Sequence, residues 1–478
     1  MADHKKDPTL VMKFGGSSVG NPDAIDQSTE IVLRTLKDWP RLVVVLSAMS
    51  GITDILLKSA RQAVKGEMVD VLNQAAKIQK VHFDVIDLLI PDSYRQNVVR
   101  QEIDHLISEF INLCQAISVI GEATPRALDA IASLGEKLSI RIFSQVLQAK
   151  SCNAQPVDAT QIIVTDRQFQ SAVPDMAATK KKTLQVLEPL LAQGAVPVVT
   201  GFIAATPEGI TTTLGRGGSD YSAAILGAAL HAEDVWIWTD VDGVMTADPR
   251  MVPEAHTIEK LSFREIAELA YFGAKVVHPK TMRPVIEAGI SIRVCNTFNP
   301  DHAGTQLTPD QIVKGNGVIK AVTAIQMQSL VTIEGRGMLG VPGVAARAFG
   351  AVAATGTSVP LITQASSEQS ICFAVPLDSS EIVIQALETA FSNELARRDI
   401  DRIWATGDVV IITIVGAGIQ HTPGVAGKIF GKLGENLVNV IAIAQGSSEV
   451  SISIVVDKAD AEKAVQVLHE LTKPPAKS

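Results

Sequence analysis

The sequence repeats itself near its C-terminal end, and that repeat limits what the last third of the chain can fold into. Residues 361–375 (L-I-T-Q-A-S-S-E-Q-S-I-C-F-A-V) match residues 442–456 (A-I-A-Q-G-S-S-E-V-S-I-S-I-V-V) at a constant offset of 81. The same offset aligns Pro342-Gly343-Val344-Ala345 with Pro423-Gly424-Val425-Ala426, and Gly335 with Gly416. Each copy reads as strand, glycine-rich loop, helix, strand, tight turn, strand and helix, a small α+β module. The first copy continues into a fourth strand at 401–405. The second runs out after a helix near 461–471, so its fourth strand must come from elsewhere. The unassigned segment 318–325 (V-I-K-A-V-T-A-I) is the candidate, and the two modules are expected to interleave.

The first three hundred residues have a different rhythm. Val-rich apolar runs at 10–14, 42–46, 195–200 and 235–239 are each followed by Gly/Ser loops and helix-like sequence. Apolar strands alternating with amphipathic helices predict an α/β domain, a mainly parallel sheet covered by helices on both faces. Residues 55–120 carry helical periodicity (Val81, Val85, Leu88, Leu89) and read as a helical lobe. The expected division is a tail at 1–9, an α/β domain at 10–312, and repeats at 326–405 and 406–478, the second completed by a strand from 317–325.

Composition excludes some functions. A net charge of −9 argues against a general nucleic-acid binder, which needs a basic face. Four cysteines, at 114, 152, 295 and 372, form no metal pattern and suit free thiols in a reducing cytoplasm. The N-terminal residues hold no apolar run fit for export, and no stretch is expected to reach the length of a membrane span. A cytoplasmic location is the expectation.

Chemistry concentrates in glycine-rich segments on strand-to-helix transitions. Glycine lets backbone approach an anion, and a following helix N-terminus adds unpaired N–H groups. Lys13 precedes Gly15-Gly16 in K-F-G-G-S-S-V, where its ammonium can reach a transferring phosphate. In T-L-G-R-G-G-S-D-Y, Arg216 and Asp220 flank Gly217-Gly218-Ser219; arginine before a glycine loop suits a bidentate carboxylate clamp. Asp220 could orient Lys13, bind Mg²⁺, or simply complement a helix dipole. W-T-D-V-D-G-V-M-T-A-D-P-R, at 238–250, follows an apolar strand, as nucleotide-binding loops do. G-A-K-V-V-H-P-K-T offers Lys275 as a second phosphate-facing cation, with His278 read as a packed structural group. S-A-M-S-G-I-T-D and S-L-G-E-K-L-S have the same form, and Glu136 in the latter could hold an ammonium.

Taken together and in this order, these six segments resemble the aspartate kinases of the amino-acid kinase superfamily, and the tandem repeat resembles their paired ACT regulatory domains. The resemblance covers residues 10–471. It implies an amino-acid kinase fold followed by two ferredoxin-like βαββαβ ACT domains. It implies ATP-dependent phosphoryl transfer to the β-carboxylate of L-aspartate, giving 4-phospho-L-aspartate, the first step toward lysine, threonine and methionine. By motif, Lys13, Phe14, Gly15, Gly16 and Ser17, then Thr239, Asp240, Met245, Arg250, Lys275 and Val276, fall on the ATP positions. Ser47, Thr53, Glu136 and Arg216, Gly217, Gly218 and Ser219 fall on the aspartate positions. Ser17 replaces the family's usual Thr, and Met245 stands where a Tyr often contacts the nucleotide.

The attacking carboxylate is already ionised at neutral pH, so the barrier lies in bringing two anions together, and no general base is needed. Lys13 and Lys275 are assigned to the phosphoryl charge, with Mg²⁺ bridging ATP oxygens and no dedicated protein metal site. Asp220 positions Lys13, Arg216 clamps the α-carboxylate and Glu136 takes the ammonium. The resemblance further implies a homodimer or homotetramer formed through the ACT domains and an amino-acid effector, threonine ahead of lysine, with Gln364 and Gln445 as contacts. The competing readings are a sister kinase with another acceptor, an inactive amino-acid sensor, and a nicotinamide-dependent dehydrogenase. The last is disfavoured because the sequence closes at Ser478, directly after the second repeat.

Overall fold

A computed structural model describes residues 8–272, 279–309, 318–339, 341–364, 369–419, 422–446 and 450–472. The chain packs as two units, the first comprising residues 1–244, 259–263 and 275–310, the second 245–258, 264–274 and 311–478.

The first unit is built on an eight-stranded sheet. Its strands are β1 (Thr9–Phe14), β2 (Arg41–Leu46), β3 (Ala154–Val157), β4 (Val196–Thr200), β7 (Asp234–Thr239), β8 (Lys260–Ser262), β9 (Ser291–Asn296) and β10 (Thr305–Thr308), while β5 (Ile203–Ala205) and β6 (Thr211–Thr213) form a separate ribbon. The order is β3-β4-β2-β1-β7-β9-β10-β8, parallel from β3 to β9, with β10 antiparallel to β9. Every residue of β1, β2 and β4 is buried, as strands covered on both faces require. The covering helices are α1 (Pro22–Thr35), α2 (Ile52–Val64), α3 (Met68–Leu89), α4 (Ser93–Ile120), α5 (Pro125–Ala149), α6 (Met176–Ala192), α7 (Gly218–Leu230) and α9 (Pro279–Ala288). Their starts are chemically marked: Asn21 accepts from Ala24 N before Pro22, and Thr124 accepts from Ala127 N before Pro125.

Helix α4 corrects one expectation. It is 28 residues long and, by length and composition, apolar enough to cross a bilayer. Its buried residues, Val99, Ile103, Leu106, Ile107, Phe110, Cys114 and Ile117, recur every three or four positions, and the helix packs against α3 and α5. Its apolar residues therefore form one stripe facing the core rather than a uniformly apolar surface.

The second unit holds a six-stranded antiparallel sheet, order β12-β13-β11-β14-β16-β15, from β11 (Ala321–Glu334), β12 (Leu361–Gln364), β13 (Ser370–Pro376), β14 (Arg402–Val415), β15 (Ala442–Ala444) and β16 (Ser451–Asp457). Its helices are α8 (Phe263–Tyr271), α10 (Val344–Ala354), α11 (Ser380–Ala390), the short α12 (Ser392–Arg397), α13 (Val425–Glu435) and α14 (Lys458–His469). The two repeats exchange strands. Ala321–Ile325 of β11 pair with Ile411–Val415 of β14, while Leu330–Glu334 pair with Arg402–Thr406. Each 14-residue strand thus serves one repeat as its first strand and the other as its fourth. The halves divide at Met327 and Asp408, 81 positions apart and both at positive φ (58° and 52°).

The exchange needs two glycines at repeat-equivalent places. A Cβ on Gly335 would lie 2.3 Å from Asp399 O, and one on Gly416 would lie 2.0 Å from Val318 O. Asp399 and Val318 each lead into the borrowed strand, so these contacts fix where it enters. Gly416→Ala is expected to destabilise the protein by about 2–4 kcal/mol, because backbone rather than a flexible side chain must move. A thermal or urea melt checks this.

These packings amend the linear division. Thr9 already belongs to β1, and β14 runs unbroken across the 405/406 boundary. A single cut at 312 also fails. Ala247 and Val252 enter the core of the second repeat, and Phe272 covers the other face of the six-stranded sheet with Leu330, Leu361 and Ile411. Glu265, fully buried, pairs with Lys320 at 2.8 Å and accepts from Ala417 N at 2.7 Å. Two segments lying between β7 and α9 in sequence therefore pack with the repeats.

Candidate active site

β1 leads to β2 on one side, while β7 lies on its other side, so the carboxyl ends of β1 and β7 flank a topological switch point, where parallel sheets bind ligands. Gly15 N donates to Trp238 O at 3.1 Å, holding the loop after β1 against the end of β7. Ser18 Oγ and Thr297 Oγ1 lie 2.7 Å apart, tying the same loop to the turn after β9.

A cleft of about 650 Å³ opens at this edge. It is lined by Lys13, Gly16, Ser47, Thr53, Glu136 and residues 216–220, so four separate segments of the chain meet there. Lys13, 8% exposed, sits at the end of β1 with Nζ 2.5 Å from Asp220 Oδ1. Asp220 stands in the first turn of α7, behind a left-handed Gly217 (φ 69°). The carboxylate fixes the ammonium at the mouth of the glycine loop. Arg216, exposed on that loop, has no ion-pair partner among the described residues.

Glu136 is placed by packing. A Cβ on Gly135 would come within 2.8 Å of Ala48 Cβ, so only glycine lets α5 approach the loop after β2 this closely. The next residue, Glu136, then accepts from Ala48 N at 3.1 Å through Oε1. Among the described residues its buried Oε2 has no hydrogen-bond partner. Burial pushes the Glu136 carboxyl up to about 8, against the lowering effect of the Ala48 amide. A buried carboxylate oxygen in want of a donor is a receptor for a cation.

Other candidate residues lie elsewhere. Thr239 ends β7 beside Gly15 and Asp240 follows it, with Thr239 Oγ1 3.1 Å from Asp240 Oδ1. Phe14 is fully buried, stacked on Trp238 and packed against the tilted ring of Phe143, so its side chain belongs to the core and only its backbone faces the loops. Met245 and Arg250 belong to the second unit; the Arg250 guanidinium is held by Asp248 at 2.6 Å. Lys275, Val276 and His278 lie outside the described residues. Sequence reasoning passed over Asp129, which is 1% exposed, lines the cleft and accepts from Gln170 N, Thr213 N and Thr213 Oγ1. The available signal was its spacing: Asp129, Ala132 and Glu136 occupy one face of α5.

In the second unit, β12 and β15 stand at opposite edges of the sheet but approach one another, and a cleft of about 680 Å³ there is bordered by Gln364 and Gln445. Gln364 also borders a cleft of about 390 Å³ at the N-terminus of α10.

A parallel sheet brings a buried carboxylate and a lysine–aspartate pair to one switch-point cleft, and the chain belongs to a class of small-molecule kinases, the amino acid kinase family, whose pattern it matches over residues 8–296. Residues 331–391 and 412–471 match the ACT domain. Within that class it belongs to the aspartokinases. It is 34% identical to lysine-sensitive aspartokinase 3 of Escherichia coli over 96% of this chain and 98% of that protein. It is 36% identical to bifunctional aspartokinase/homoserine dehydrogenase 1, chloroplastic, of Arabidopsis thaliana over 97% of this chain, but 51% of that one. The chain thus spans about half the length of the bifunctional relatives it matches. Among solved structures, E. coli aspartokinase III in complex with aspartate and ADP (R-state) superposes with a TM-score of 0.77 at 33% identity, covering 97% of this chain and 99% of that one. The same enzyme with lysine and aspartate (T-state) gives 0.80 at the same identity and coverage.

Proposed function

We propose that this protein is an ATP-dependent aspartate kinase that moves the γ-phosphoryl group onto the β-carboxylate of L-aspartate, giving 4-phospho-L-aspartate at the head of lysine, threonine and methionine synthesis. The observation that carries this reading is the buried Glu136 Oε2, without a partner among the described residues, which shares one cleft with Arg216 and the Lys13–Asp220 pair. Glu136 takes the ammonium and Arg216 the α-carboxylate, which turns the β-carboxylate toward Lys13. Two anions then meet beside a fixed positive charge, and alignment with neutralisation accounts for the rate. Among the described residues no group of three acidic, His or Cys side chains could hold a metal. Mg²⁺ would enter with the ATP phosphates and neutralise their charge. The ADP and aspartate bound by E. coli aspartokinase III support the same pairing of substrates. A coupled ADP-release assay with aspartate, glutamate, N-acetylglutamate, carbamate and UMP tests it: aspartate alone should give turnover, and another acceptor preferred over it would replace the reading.

The repeats are proposed to bind an amino-acid effector, threonine before lysine. Amides at the α10 N-terminus suit a carboxylate, and Gln364 suits a hydroxyl. Gln364→Ala and Gln445→Ala are expected to raise the threonine concentration for half-inhibition about ten-fold each without changing uninhibited kcat; inhibition curves with threonine and lysine measure it. Ile362 and Ile443, half-exposed on the two edge strands, support a homodimer or homotetramer assembled through the repeats. Four free cysteines support a cytoplasmic location.

A further inference from the structure

We propose that Asp129 is a positioning residue that sets the acceptor end of the cleft; the proposal rests on reading that cleft as the aspartate site. Asp129 lies on α5 two turns before Glu136, so one helix face presents two buried carboxylates to the cleft. Their hydrogen bonding differs sharply. Asp129 Oδ1 accepts from Thr213 Oγ1 at 2.8 Å and Gln170 N at 3.1 Å, while Oδ2 accepts from Gln170 N at 2.9 Å and Thr213 N at 3.0 Å. Both oxygens are thus occupied by protein donors, whereas Glu136 keeps Oε2 unpartnered. One carboxylate is left to meet an ammonium, and the other is committed to architecture.

What Asp129 joins gives the inference its content. Thr213 ends β6 and is three residues before Arg216. Gln170, at φ 68°, belongs to the loop between β3 and α6, and it too lines the cleft. The two loops touch backbone to backbone here, since a Cβ on Gly215 would stand 2.9 Å from Gln170 O. Asp129 binds both loops to the helix that carries Glu136. It thereby fixes the separation between the ammonium receptor and the Arg216 clamp, the distance that an acceptor's two α-substituents must span. Lys13 is anchored on β1 and Asp220 in the first turn of α7, so the nucleotide end depends less on this connection than the Arg216 clamp does.

Asp129→Ala and Asp129→Asn in the full chain test the idea. In Asp129→Asn one oxygen still accepts from Gln170 N and Thr213 N, and the amide can donate to Thr213 Oγ1. With alanine, the KM for aspartate and the Kd for L-aspartate by calorimetry should rise about 30- to 100-fold, with the KM for ATP changed less than about two-fold. Asparagine should recover the aspartate KM to within about five-fold of the wild type, since it rebuilds the geometry without the charge. The proposal is overturned if Asp129→Ala leaves the aspartate KM within about two-fold. It is equally overturned if both KM values and the melting temperature shift together in both variants, the pattern of general loosening. Wild-type protein that bound no L-aspartate would sink the acceptor reading itself, and that result is read before any variant is made.

Discussion

Lys13→Ala is expected to lower kcat about a thousand-fold while leaving the KM for ATP and for aspartate within a few-fold. The ammonium is nearly buried, lies 2.5 Å from Asp220 and projects from a strand whose every residue is packed, so it is held in place before substrates arrive. A preorganised charge of this kind does most for the state in which negative charge crowds between donor and acceptor, and less for either ground state. Removing it should therefore appear in turnover rather than in binding. Asp220→Asn provides the companion measurement: it keeps the shape but loosens the tether, and a loss in kcat smaller than that of Lys13→Ala is expected. Steady-state kinetics in both substrates decide the matter; a Lys13→Ala enzyme with near-normal kcat would dismiss the assignment.

The second large effect concerns Glu136. Because burial raises its carboxyl to about 8 from an ordinary 4.5, its surroundings favour the protonated form at neutral pH. The cost of ionising it in the folded protein is absent below about pH 4.5 and grows as pH rises, reaching its full size above about pH 8. An aspartate ammonium supplies the missing partner of Oε2 and needs the ionised form. Affinity for aspartate should therefore strengthen roughly twenty-fold between about pH 6.5 and 8.5. Glu136→Gln should weaken aspartate binding about a hundred-fold, flatten that pH dependence and raise the melting temperature of the unliganded protein at pH 8.5. Calorimetric titration across this pH range, with a melt at each point, measures all three. A glutamine variant that kept both the affinity and the pH slope would remove Glu136 from the site.

Much of this site was legible from residue order because its parts are local. A lysine before Gly15-Gly16, or an arginine and an aspartate around Gly217-Gly218, declare their chemistry within one turn of backbone. Asp129 was not legible, since its meaning lies in Gln170 and Thr213, 41 and 84 positions away, and a helical aspartate alone looks like a solvated acid. The Phe14 side chain likewise passes for a ligand contact until Trp238 and Phe143 are seen packed against it.

The amino-acid sequence by itself determined the alternating strands of the sheet, the 81-residue repeat and the need for a borrowed strand, because periodicity and self-similarity are properties of neighbouring residues. Only the tertiary structure decided that segments 245–258 and 264–274 pack with the repeats, that Glu136 keeps one oxygen without a partner, and that Asp129 has none to spare. Those outcomes depend on which distant groups compete for the same buried space and the same hydrogen-bond donors, a competition settled only when the whole chain has packed.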